Sequence, residues 1–173
     1  MDLGARIRRI PDCPKPGVLF YDISTLLVDT GAWSETIRRL AELARDFRPA
    51  VLAAIESRGF LLAAPLALEL GIGFVMVRKV GKLPGVVVSH SYDLEYGSDT
   101  LQMAEGLVKP GSRALVVDDL IATGGTAAAA VELLRKVGAE PVGALFLIEL
   151  VHLKGMEKLG VPGRALLQFD GTS

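Results

Sequence analysis

The chain contains no asparagine, one cysteine and two histidines, and only 6% of its 173 residues are aromatic. Without asparagine there is no N-glycosylation sequon. The lone Cys13 excludes an intramolecular disulfide and fits a reducing cytoplasm. It lies in Pro11-Asp12-Cys13-Pro14 with no histidine nearby, so nothing in the sequence activates its thiol. His90 and His152 are far apart and lack neighbouring acids or cysteines, which gives no metal-ligand pattern. No apolar run approaches the ~20 residues of a membrane-spanning helix, and Met1 to Arg6 shows no signal-like apolar stretch. Charge of either sign is in short supply as an excess: the net charge is -1. No global field therefore draws the chain to nucleic acid or to an anionic membrane, and any anion site must be built locally. These absences together lead us to expect a soluble cytoplasmic protein with neither a nucleic-acid nor a membrane partner.

What is present is a core. Apolar residues make up 50% of the chain and charged residues 23%, which suits one domain over 1–173 with roughly 70% of its unfolded surface buried. Apolar runs alternate with helical patterns, the mark of an α/β fold with a mainly parallel central sheet flanked by helices. Residues 2–10 read as a short helix, and Pro11 to Gly17 as a turn-rich loop. Trp33, Ile37, Leu40, Ala44 and Phe47 recur at helical spacing, so 32–47 is an amphipathic helix, with Trp33 and Phe47 in the core. Val51 to Ile55 is a buried strand, followed by a helix to about Leu70 that Gly71 stops. Strands follow at 73–78, 86–91 and 98–103, the last two forming an antiparallel ribbon that projects from the sheet. Arg113 to Asp118, 141–149 and 164–169 are further strands, and 124–137 is a helix.

The strongest local signal is Ala114-Leu115-Val116-Val117-Asp118-Asp119-Leu120-Ile121-Ala122-Thr123-Gly124-Gly125-Thr126. A buried strand ends in two acids, a turn of small residues follows, and a helix begins. Free N–H groups at a helix N-terminus can receive a phosphate. Gly124 and Gly125 let the backbone approach a ligand, and Thr123 or Thr126 can cap the helix. The acids would repel a phosphate but accept hydrogen bonds from vicinal hydroxyls. Ribose 5-phosphate carries both groups at the right separation. The alternative is a plain capping loop whose acids are solvated or hold a metal. Neither a nucleoside-triphosphate P-loop nor a dinucleotide glycine fingerprint occurs.

This segment resembles the signature of the type I phosphoribosyltransferases. Val18-Leu19-Phe20-Tyr21-Asp22-Ile23-Ser24, Glu56-Ser57-Arg58-Gly59-Phe60, Arg78-Lys79-Val80-Gly81-Lys82-Leu83-Pro84-Gly85 and Tyr92-Asp93-Leu94-Glu95-Tyr96-Gly97 stand in the order found in the adenine phosphoribosyltransferase family. The resemblance covers about 5–170 and implies the type I phosphoribosyltransferase fold, with a small N-terminal hood (about 1–30) and a projecting flap (about 79–103). It implies transfer of the 5-phosphoribosyl group from phosphoribosyl pyrophosphate to N9 of adenine, with Mg²⁺ bound through the donor and no direct protein metal site, in a homodimer. Asp118 and Asp119 would hold the ribose hydroxyls, and Ala122, Thr123, Gly124, Gly125 and Thr126 the 5-phosphate. Ser57, Arg58 and Lys79 would contact pyrophosphate, Lys79 often from a partner subunit, with a non-proline cis peptide beside the serine. Phe20 would stack on adenine, and the backbone of Leu19 and Tyr21 would read its edge. Glu95 would handle the proton on the imidazole side of adenine. Tyr21 departs from members that carry a basic residue there.

Read without the resemblance, each side chain keeps a plainer alternative: Arg58 as a surface residue, the 78–82 cations as solvated, Glu95 as an exposed turn carboxylate, Phe20 as core. Magnitudes favour the clustered reading. A helix N-terminus contributes about 0.3–1 kcal/mol, up to ~2 when partly buried, whereas micromolar binding needs roughly 8 kcal/mol. Mg²⁺ and cations among Arg58, Arg78, Lys79 and Lys82 would supply the remainder. Two rivals stand beside adenine transfer: a phosphoribosyltransferase for another purine base, and a non-catalytic regulator that senses phosphoribosyl pyrophosphate.

Overall fold

A computed structural model describes residues 1–171. The helix expected over 2–10 is reduced to a single 3-10 turn at Gly4–Arg6. The chain then extends into β1 (Arg8–Ile10), which pairs antiparallel with β2 (Phe20–Asp22), Arg8 opposite Asp22 and Ile10 opposite Phe20. A pairing made ten residues away overrides the local helical pattern. Arg8 forms an ion pair with Asp22. Tyr21 turns inward and stacks on Phe169 with ring centroids 4.6 Å apart.

α1 (Ser24–Val28) leads to α2 (Thr30–Arg45), whose first turn is capped by Asp29 accepting from the Ala32 N–H at 3.0 Å. The buried face of α2 carries Ala32, Ile37, Leu40, Ala41 and Ala44, close to the expected stripe. β3 (Val51–Ile55), α3 (Arg58–Leu70) and β4 (Gly73–Lys79) follow. Gly71 ends α3 in the left-handed conformation at φ 68, which glycine adopts without a Cβ penalty. β5 (Val87–Asp93) and β6 (Ser98–Ala104) form the ribbon. It does not stand free. β6 pairs antiparallel with the end of β4 at Arg78 and Lys79, and the Lys136 ammonium on the following helix donates to the Ser89 carbonyl at 3.0 Å. β7 (Arg113–Ile121), α4 (Gly125–Lys136), β8 (Glu140–Leu150) and β9 (Gly163–Phe169) complete the chain.

The sheet order is β5-β6-β4-β3-β7-β8-β9, parallel from β4 to β9. Successive strand residues face opposite sides, so both faces of the centre are apolar. Leu52, Ala54, Leu115 and Val117 pack with α2 and α3, while Ala53, Ile55, Val116 and Phe146 pack with α4. β3 leads leftward to β4 and β7 rightward to β8. The gap between neighbouring strands whose connections diverge is where open α/β sheets place their ligands.

Candidate active site

β7 is longer than its sequence pattern suggests. Its pairing with β3 stops at Val117, opposite Ala54, but its pairing with β8 continues to Ile121, opposite Glu149. Asp118 and Asp119 are therefore inside the strand, not at its end. They stand where β3 has already turned away into α3, so a step in the sheet opens beside them. The step is the floor of a cleft of about 380 Å³ lined by 55–58, Lys79 and 118–127, within the range of small-molecule sites.

Two glycines set the walls. A Cβ on Gly59 would lie 2.9 Å from the Val117 carbonyl oxygen and 3.2 Å from Asp118 Oδ1. Its absence lets the first turn of α3 rest on β7 and brings Arg58 over the acids. On the other wall, Gly124 has φ +85, and a Cβ there would meet the Gly155 carbonyl oxygen at 2.3 Å. The loop before α4 is thus backed, main chain on main chain, by the 3-10 segment Gly155–Lys158. No signal in the sequence marks Gly155, because the contact spans some thirty residues.

The helix cap expected from Thr123 or Thr126 is not made. Gly124 is the N-cap of α4, and among the described residues no side chain accepts from the first-turn N–H groups. Thr123 is exposed, and the Thr126 hydroxyl faces Tyr92 Oη at 3.2 Å. The α4 N-terminus keeps its donors and its partial positive charge directed at the cleft. Opposite it, Arg58 Nε donates to Asp119 Oδ2 at 2.5 Å, and Asp119 is nearly enclosed at 6% exposure. Asp118 Oδ1 accepts from the Asp119 N–H at 2.8 Å.

Burial, and then the adjacent Asp119 charge, push the Asp118 carboxyl well above its ordinary range. The folded protein then holds a proton that the unfolded chain has already lost, in the interval above the ordinary aspartate value of about 3.9. Stability must fall as pH rises through that interval, and the ionised carboxylate remains unfavourable above it. Asp118→Asn should therefore raise stability at neutral pH by about 1 kcal/mol, with the gain fading as pH drops to about 4. Melting curves of both proteins between those pH values test this; a lower melting point of the variant at neutral pH would contradict it.

Of the expected cations, Arg58 and Lys79 border the cleft. Lys79 does so within its own chain, and its ammonium is paired with Asp99. Arg78 is drawn aside: its Nε donates to Glu56 Oε2 at 3.0 Å and its guanidinium lies 5.7 Å from the Phe60 ring centre. Lys82 is exposed and outside the lining. Glu56 also accepts from the Lys79 N–H at 2.5 Å, which ties the end of β4 to the turn after β3. The Glu56–Ser57 peptide is cis, and Ser57 borders the cleft.

The residues expected around adenine are less close. Leu19 packs against the core, and the Tyr21 side chain is inside it. Phe20 lies under Arg58, 5.8 Å from ring centre to guanidinium carbon, and so reaches the cleft through that side chain. Glu95 is exposed in the turn between β5 and β6 and does not line the cleft.

The sequence profile of the phosphoribosyl transferase domain matches residues 26–159. The adenine phosphoribosyltransferase of Rhodospirillum rubrum is 59% identical over 170 residues, covering 98% of this chain and 99% of that protein. The chain belongs to the adenine phosphoribosyltransferase family. The fold agrees: the crystal structure of the adenine phosphoribosyltransferase from Thermoanaerobacter pseudethanolicus superposes with a TM-score of 0.94 at 44% identity, covering 97% of this chain and 98% of that one. The Saccharomyces cerevisiae adenine phosphoribosyltransferase, complexed with an imino-altritol bisphosphate and adenine, gives 0.90 at 39% identity, with 96% and 97% covered. The architecture is thus that of the type I phosphoribosyltransferases.

Proposed function

We propose that the cleft binds phosphoribosyl pyrophosphate and that the protein transfers its 5-phosphoribosyl group to N9 of adenine, giving AMP and pyrophosphate in purine salvage. The observation that carries this reading is the uncapped α4 N-terminus facing the same cleft as Asp118 and Asp119. One end takes a phosphate; the other accepts hydrogen bonds from a diol.

In this reading Asp118 and Asp119 receive the ribose hydroxyls. The main chain of 122–126 and the hydroxyls of Thr123 and Thr126 hold the 5-phosphate. Ser57, Arg58 and Lys79 face the pyrophosphate. N9 of adenine forms its bond to C1′ as the bond from C1′ to the pyrophosphate oxygen breaks, and positive charge builds on the ribose. Holding the reactants in line and stabilising the departing pyrophosphate are the chain's main contributions.

Among the described residues no group of three His, Cys, Asp or Glu side chains gathers in ligating geometry. Asp119 is engaged by Arg58, and Asp118 by a main-chain N–H. Mg²⁺ would be carried on the oxygens of phosphoribosyl pyrophosphate and, when bound, would supply charge neutralisation for the leaving group.

Phe20 and the backbone of Leu19 and Tyr21 form the adenine side, within a hood of about 1–30. The Tyr21 ring itself is buried against Phe169. Glu95, at the tip of a flap of about 79–103, handles the proton on the imidazole side of adenine once that tip closes over the cleft and excludes water. We place the reaction in a cytoplasm, which suits the single unpaired cysteine. We also assign the protein a homodimeric state, with family membership as its support.

The test is incubation with phosphoribosyl pyrophosphate, Mg²⁺ and each of adenine, hypoxanthine, guanine and xanthine. Nucleotide and pyrophosphate should form with adenine far faster than with the others. Faster turnover of another base would reassign the substrate, and donor binding without turnover of any base would favour a sensor. Asp119→Ala should weaken donor binding at least ~10-fold, the loss of a hydrogen bond to a charged group; calorimetric titration with the donor measures it, and normal affinity would remove the diol assignment.

A further inference from the structure

Tyr92, on β5, is not among the residues that the proposed reaction uses. Its side chain points from the ribbon onto the start of α4. The ring passes 3.9 Å from the place a Cβ of Gly125 would occupy, and Oη lies 3.2 Å from Thr126 Oγ1 and 3.5 Å from Asp99 Oδ2. The phenol has one hydrogen and two candidate acceptors. Asp99 Oδ2 stands at 3.5 Å, the outer limit for an O–H···O bond, and its carboxylate already receives the Thr100 N–H at 2.8 Å and the Lys79 ammonium. The Thr126 contact is also the shorter one. A phenol is more acidic than an aliphatic hydroxyl, so it is the better donor of the pair.

We propose that Tyr92 is a positioning residue for the 5-phosphate subsite: its phenol donates to Thr126 Oγ1, which leaves the threonine's own hydrogen free for a phosphate oxygen. The inference rests on the reading of the cleft given above and adds to it a determinant on the ribbon. Thr126 lines the cleft at the second position of α4. With Tyr92 donating, its hydroxyl is turned before the ligand arrives, and accepting one hydrogen bond strengthens the one it donates. With Tyr92 silent, the threonine hydrogen can rotate to other acceptors and the orientation must be imposed on binding.

Tyr92→Phe keeps the ring against Gly125 and removes only the hydroxyl, so the ribbon stays packed. The experiment is titration calorimetry with ribose 5-phosphate on the wild type, Tyr92→Phe, Thr126→Val and the double variant, with steady-state kinetics on the first two. Tyr92→Phe should weaken ribose 5-phosphate about fivefold, the size of one net hydrogen bond. The KM for the donor should rise by a similar factor while kcat stays within about twofold. In the Thr126→Val background the same change should have no further effect, because the two groups act as one. Unchanged affinity in Tyr92→Phe, an equal loss in the Thr126→Val background, or a fall in kcat at constant KM would each overturn the inference. Failure of the wild type to bind ribose 5-phosphate would instead overturn the reading of the cleft, and it would show before any substitution is compared.

Discussion

Replacing Glu95 by leucine is expected to lower kcat at least ~100-fold, the usual contribution of a positioned acid or base, with less than about a threefold change in the KM for the donor. The separation of the two constants follows from where Glu95 stands. It is exposed in the turn joining β5 and β6, and the main-chain bond from Leu94 N–H to the Gly97 carbonyl at 2.9 Å that closes the turn does not involve its side chain. The donor-binding residues lie on β7, at the starts of α3 and α4 and the turns before them, and at the end of β4, where Lys79 pairs with Asp99 rather than with Glu95. The melting temperature should therefore stay within ~2 °C, as for other exposed positions. Steady-state rates with adenine and donor varied separately, together with a melting curve, test all three statements. Turnover equal to that of the wild type would remove Glu95 from the chemistry and return it to the role of a surface carboxylate.

The second large effect is expected at Gly155, a position far from any motif. A Cβ there would lie 2.4 Å from the Ala122 carbonyl oxygen, 2.9 Å from Ile121 Cγ1 and 3.0 Å from the Gly124 nitrogen. Gly155 is not among the residues of positive φ, so alanine is excluded there by space alone. Two of the three obstacles are main-chain atoms of the phosphate turn, and that turn must move if the methyl is to fit. Overpacking of this kind costs about 1–3 kcal/mol. A displacement of the turn by about 1 Å can cost 10²-fold in activity. Gly155→Ala should thus show a donor KM raised on the order of 100-fold in a protein that still folds. Gly73→Ala is the control: nothing lies within 4 Å of its Cβ position, and stability should stay within about 0.5 kcal/mol. Normal donor affinity in Gly155→Ala would mean that the turn does not depend on its backing segment.

Much of the architecture is legible in the sequence where structure is decided locally. The Val51–Ile55 strand, the helix that Gly71 stops and the helix beginning at Gly125 all stand within one residue of their expected bounds. Each is bounded by a residue with a strong backbone preference or by a change in hydrophobic period. The expected features that fail depend on distant partners. Leu3, Ile7 and Ile10 have helical spacing, yet β2 captures the segment as a strand. The apparent end of β7 at its two acids reflects where β3 stops, while β8 carries the strand three residues further, to Ile121. Thr123 and Thr126 look like caps because residue type favours it, but Tyr92, brought in by the ribbon, engages the second of them. Arg78 looks as free as Lys79 until Glu56 is seen beside it. Gly155 carries no local signal at all. In the site, composition and order identify the ligand-facing segment, whereas the orientation of its side chains is set by tertiary neighbours.

The unequal lengths of β3 and β7 have a mechanical consequence. Beyond Val117 the acidic pair rides on a cantilever, clamped along one side by β8 and open on the other. A loop in that place would sample many shapes and would have to surrender backbone entropy of about 1–2 kcal/mol per residue on capturing a sugar. A braced strand surrenders little, so most of the attraction between carboxylates and hydroxyls is retained as affinity.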